Sequence, residues 1–83
     1  MDIDQLREKI DQIDDQMLSL FEQRMAVAKQ IGSYKKAHSL PVNNPLREQE
    51  IILRFRKKSP ELAEQTESFF SALFEISKRY QEM

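Results

Sequence analysis

The sequence predicts an all-α protein of three helices, one long, one short and one of intermediate length. Three observations carry that expectation. Apolar residues recur at alternating steps of three and four: Ile3, Leu6, Ile10, Ile13, Met17, Leu20, Val27, Ile31 and Tyr34. That is the seam of one helix held over four heptads. Gly32 is the only glycine, and the prolines stand at Pro41, Pro45 and Pro60, so few positions interrupt a helix. With 33% of residues charged, the chain has enough polar surface for solvated helix faces.

Helix 1 is expected over about residues 4–37, after Asp2 or Asp4, either of which can cap the first turn. At 1.5 Å per residue it would be roughly 50 Å long. Gly32 inside it costs about 1 kcal/mol relative to alanine. It is either a neutral surface position or the place where another backbone or a ligand comes close. The run from His38 to Pro45 holds two prolines and two asparagines and reads as a loop. Asn43 or Asn44 can cap helix 2, expected over about 45–57, with Pro45 in its first position. Ser59-Pro60 repeats that signal, with Ser59 as cap, and helix 3 follows over about 60–81.

The bulk numbers narrow the function. An 83-residue chain forms one domain, close to the lower limit for a self-sufficient core. Thirteen basic and fourteen acidic residues give a net charge of -1, which calls for neither nucleic acid nor an anionic membrane. There is no cysteine, hence no disulfide framework or thiolate metal site. The acidic start Met1-Asp2-Ile3-Asp4 lacks the long apolar run of a signal peptide or membrane span. A soluble cytoplasmic protein is expected.

Helices of roughly 50, 20 and 33 Å do not match. A single copy would leave part of the helix 1 seam in water. A second copy of the chain is the simplest cover, so a homodimer is expected.

Polar residues interrupt the apolar pattern at specific places. Arg24 occupies the seam slot between Leu20 and Val27. A charge buried alone costs several kcal/mol, so Arg24 either pairs with a carboxylate such as Glu22 or Asp14 or meets an anionic ligand. An arginine fork suits a carboxylate ligand. On helix 3, Phe70, Phe74, Ser77 and Gln81 share a face whose second half is hydrogen-bonding. That half either frays into solvent or faces the same interior as Arg24. Glu48 in the first turn of helix 2 complements the helix dipole, whereas Arg47 beside it does not. Lys35 and Lys36 sit where cations are favoured, at the end of helix 1.

Axial distances decide which of these can meet. Arg24 and Lys35 are eleven residues apart, roughly 16 Å, and can converge on one small molecule. Arg7 is 17 residues before Arg24, roughly 25 Å away, and cannot join them from the same helix. An antiparallel copy of helix 1 crossing near Leu18 would bring Arg7 of one chain between Arg24 and Lys35 of the other. Three cations around one pocket suit a dianion.

The ordered set Leu6-Arg7-Glu8-Lys9-Ile10, Asp14, Arg24, Lys35, Pro41-Val42, Arg47-Glu48, Ser77 and Gln81 resembles the all-helical class of chorismate mutases over nearly the whole chain. The resemblance implies a three-helix protomer whose first helix intertwines with a second copy, and the conversion of chorismate to prephenate on the route to phenylalanine and tyrosine. It implies no cofactor and no metal. By the same resemblance Arg24, and Arg7 from the partner chain, grip substrate carboxylates, with Arg47 a third arginine near the mouth. Lys35 and Gln81 would donate to the ether oxygen of the breaking bond. Glu48 would accept from the substrate hydroxyl, and Ser77 would lie near a carboxylate. Asn44 departs from the pattern of a family member with aspartate in this loop; it can offer a backbone or amide contact. The alternatives are an isochorismate-pyruvate lyase of the same fold and a non-catalytic helical dimerisation or regulatory domain.

Overall fold

The computed structural model describes residues 1–83 as three α-helices with no strand. Helix α1 spans Ile3–Ala37, α2 spans Pro45–Lys58 and α3 spans Ala63–Gln81, with a 3-10 turn at Pro60–Leu62. Asp2 caps α1 in a capping box: its side chain accepts from the Gln5 amide, and the Gln5 side chain accepts from the Asp2 amide. Asn44 caps α2 by accepting from the Arg47 amide at 3.2 Å, with Pro45 in the first turn.

The start of the third helix differs from the expectation. Ser59 makes no side-chain cap bond. Its hydroxyl instead donates to the Glu61 carboxylate at 3.4 Å. The first turn winds as a 3-10 helix, and α3 proper begins at Ala63 behind Leu62.

The molecule measures 54 × 26 × 15 Å, so its long dimension is α1 itself. Helix α3 lies against the C-terminal half of α1, and α2 lies against α3. The α2–α3 contact includes Phe55 on Phe70, with ring centroids 4.6 Å apart, and Phe70 leads on to Phe74 at 6.0 Å. The buried residues are Met25, Ala28 and Gly32 of α1 and Leu73, Phe74 and Ser77 of α3. Small residues let the two helices approach closely. A Cβ on Gly32 would fall 2.7 Å from the Gln81 carbonyl oxygen and 3.0 Å from its Cα. Gly32 thus marks a close approach of two backbones, the sharper of its two readings.

This packing uses a different face of α1 from the heptad seam. Ile3, Leu6, Ile10, Ile13, Met17, Leu20, Val27, Ile31 and Tyr34 all remain exposed, between 45% and 62%. The first twenty residues bury nothing against the rest of the chain. No helix is long and apolar enough to cross a membrane.

Candidate active site

Three helices and one loop enclose a cavity of about 360 Å³ between α1, α2 and the end of α3. That is within the usual size of a small-molecule site. Helix α1 contributes Arg24, Val27 and Ile31, the C-terminal part of the seam itself, and Lys35 four residues further on. Helix α3 contributes Phe74, Ser77, Lys78 and Gln81, again on one face. Val42 and Asn44 enter from the loop, and Arg47, Glu48 and Ile51 from the first turns of α2. The Asn44 cap therefore does more than start a helix: it sets the turn that presents Arg47 and Glu48.

The polar groups inside are linked in a definite order. Lys35 Nζ donates to the Val42 carbonyl at 2.9 Å and to Gln81 Oε1 at 3.1 Å. An ammonium has three N–H donors, so one is left for a ligand. Because Gln81 accepts through Oε1, its remaining amide capacity is the Nε2 donor. Lys35 and Gln81 together present donors, and Lys35 has no carboxylate partner to neutralise it.

Arg24 is the stronger anomaly. It is half-buried and belongs to none of the ion pairs, which join Arg47 to Glu50, Arg56 to Glu67, and Lys78 to both Glu48 and Glu75. Neither Glu22 nor Asp14 pairs with it. Loss of solvent, and then the charge of Arg47, lower its pKa from the ordinary guanidinium value. The folded chain thus gathers cations that repel one another in partly desolvated space. An anion placed between them removes that cost.

Seven of the eight expected site residues line this one cavity: Arg24, Lys35, Asn44, Arg47, Glu48, Ser77 and Gln81. Ser77 is among the buried residues, so the polar half of the α3 stripe faces the interior and does not fray. Arg7 is not with them. It lies on the projecting half of α1, in solvent. Lys78 was not singled out by the sequence, although its steps of four from Phe74 and three to Gln81 put it on the same face.

The family model described as chorismate mutase type II matches residues 6–82. A bifunctional chorismate mutase/prephenate dehydratase of Aquifex aeolicus is 42% identical over 60 residues, which make up 69% of this chain and 17% of that protein. A chorismate mutase of Methanocaldococcus jannaschii is 40% identical over 53 residues, 64% of this chain and 54% of that protein. The matched stretches thus cover little more than half of one curated relative and under a fifth of the other. The solved structure of a conserved hypothetical protein from Pyrococcus furiosus superposes with a TM-score of 0.78 at 33% identity, covering 95% of this chain and 93% of that one.

Proposed function

The chain belongs to the chorismate mutase type II family, and on that footing we propose that it rearranges chorismate to prephenate in phenylalanine and tyrosine biosynthesis, in the cytoplasm. The observation that carries this reading is Arg24, a half-buried cation with no carboxylate partner, facing Arg47 across a cavity that also holds Lys35. Chorismate is a dianion and supplies the two carboxylates such a site lacks.

The reaction is a pericyclic shift within one molecule and uses no nucleophile, general base or redox step. Cleavage of the ether bond runs ahead of carbon–carbon bond formation, so negative charge builds on the ether oxygen. The free Lys35 N–H and the Gln81 amide are the donors for that charge, and they stabilise the transition state more than the ground state. Arg24 clamps one carboxylate, and Arg7 of the partner subunit grips the other. The clamps hold the compact conformer that reacts and remove entropy from the barrier. Arg47 guards the mouth, Ser77 lies near a carboxylate, Asn44 offers its amide or backbone, and Glu48 accepts from the ring hydroxyl.

The partner subunit follows from α1. Its seam stays in water along the whole helix, and Arg7 is too far from Arg24 to serve the same site. A second copy laid antiparallel on the seam covers the apolar surface and delivers Arg7, giving an intertwined homodimer with shared sites.

The direct test is purified protein incubated with chorismate and, separately, with isochorismate. Prephenate from chorismate is the expected product. Salicylate and pyruvate from isochorismate, with chorismate untouched, would assign the lyase reaction instead. Turnover of neither would leave a helical dimerisation module.

The donors fix the pH dependence. Gln81 is an amide and donates at any pH. Glu75 is held below the usual carboxylate range by its hydrogen bond and charge interaction with Lys78, so its contribution is lost only as pH falls through that lowered value. Lys78 is raised, chiefly by its hydrogen bond to Glu75 and also by Glu48, so its contribution is lost only as pH rises through that raised value. We expect kcat to be roughly flat between about pH 5 and 8. A steep loss of activity from acid to neutral pH would contradict Gln81 as the ether-oxygen donor.

Gly32 offers a second test. A Cβ there collides with the Gln81 backbone and must push the last turn of α3 away. Gly32→Ala should lower kcat by about 10–100-fold through displaced donors. The gain in helix propensity, about 1 kcal/mol, should offset much of the packing loss in the thermal midpoint. Wild-type kcat in this variant would mean that the placement of Gln81 does not matter.

A further inference from the structure

The Glu48 side chain is held by one ion pair, and its partner is a residue without an assigned role. Lys78 Nζ lies 3.2 Å from Glu48 Oε2, 3.1 Å from Asn43 Oδ1 and 2.8 Å from Glu75 Oε1. These acceptors come from α2, from the loop and from α3 itself. We propose that Lys78 is a positioning residue of the site: its ammonium ties the loop and the first turn of α2 to α3 and aims the Glu48 carboxylate at the substrate hydroxyl. The proposal rests on the chorismate mutase reading above.

The donor count separates Lys78 from the substrate-binding cations. An ammonium has three N–H groups, and three protein oxygens lie within 3.2 Å of this one, one in a hydrogen bond and two in ion pairs. Lys35, by contrast, keeps one. Lys78 therefore has nothing left to offer a ligand unless it gives up a partner. Its charge is compensated by two carboxylates, whereas Arg24 and Lys35 have none. The Lys78 and Glu48 side chains are 22% and 29% exposed, so the pair is shielded more than an ordinary surface bridge.

Holding Glu48 also protects the cations. Lys78 takes Oε2 and leaves Oε1 to accept a hydroxyl. A carboxylate released from Lys78 would have two alternatives: Arg24, across the cavity and without an acid partner, and Arg47, its chain neighbour, which is paired only with the exposed Glu50. An ion pair formed there would occupy the groups that must meet the substrate carboxylates. Glu75, outside the cavity, anchors Lys78 on its own helix at the i,i+3 spacing.

A double-mutant cycle tests this, because it reads whether Lys78 acts through Glu48. Lys78→Met keeps the aliphatic stem and removes the charge. It should lower kcat/KM for chorismate about tenfold, largely through a higher KM, with the helical circular dichroism unchanged. Lys78→Arg should recover most of the loss. In a Glu48→Gln background, which has no carboxylate to misdirect, Lys78→Met should change kcat/KM by less than about twofold. Equal losses in both backgrounds, or no loss in the wild-type background, would overturn the proposal. A wild-type protein that leaves chorismate untouched would overturn the reading beneath it, and this proposal with it.

Discussion

Lys35→Ala should lower kcat by about 10²–10³-fold, the usual cost of one preorganised donor at a developing oxyanion. Two losses combine in this variant. The free Nζ donor disappears from the ether oxygen, and Gln81 loses the bond to Oε1 that sets its amide. KM should change much less than kcat, because charge builds on the ether oxygen only as the bond breaks. The fold should survive. Lys35 is half-buried in the last turn of α1, and the helix is held by Met25, Ala28 and Gly32 against α3. Circular dichroism and the thermal midpoint check that point beside the kinetics. Near-wild-type turnover would remove Lys35 from the mechanism.

Arg24→Met should do something less usual: remove activity without loss of stability. The substitution completes the apolar seam and keeps a side chain of similar length. It deletes a partly desolvated charge that has no acid partner and faces Arg47. Loss of a charged clamp on a substrate carboxylate costs about 2–5 kcal/mol, or roughly 30- to 4,000-fold in kcat/KM at 1.4 kcal/mol per tenfold. The thermal midpoint should stay level or rise, as expected where function stores strain. A structural ion pair at Arg24 predicts the reverse, a drop in the midpoint with activity retained.

Which parts of this were legible in the sequence has a physical basis. The seam of α1, the proline at the start of α2 and the helix caps, narrowed to Asp2 or Asp4 and to Asn43 or Asn44, act through local spacing and local hydrogen bonds, which a sequence displays directly. Arg24 was conspicuous because a charge stood where periodicity asks for an apolar residue. The intrachain packing face of α1 was not legible. It is made by Met25, Ala28 and Gly32, two of them too small to register as hydrophobic signal. The 3-10 turn at Pro60–Leu62 escaped because Ser59 and Pro60 form a normal cap signature, yet the Ser59 hydroxyl turns to Glu61. Lys78 carries no signal in the sequence beyond its i,i+3 spacing from Glu75. Only the fold brings Glu48 and Asn43 to it from 30 and 35 positions earlier in the chain. Arg7 is the residue a single chain explains least. It stands in water on a helix with nothing packed against it, and in the proposed site it comes from the second copy.

That dependence is the central claim, and subunit mixing tests it. Arg7→Ala and Arg24→Met chains should each be nearly inactive, since every site in either homodimer lacks one clamp. Unfolded together and refolded, they should form heterodimers in which one site keeps both arginines and the other loses both. With random pairing, half the dimers are mixed and half of their sites are whole. Activity should then return to roughly a quarter of the wild-type value. A refolded mixture no more active than its two parents would contradict a site shared between antiparallel copies of α1.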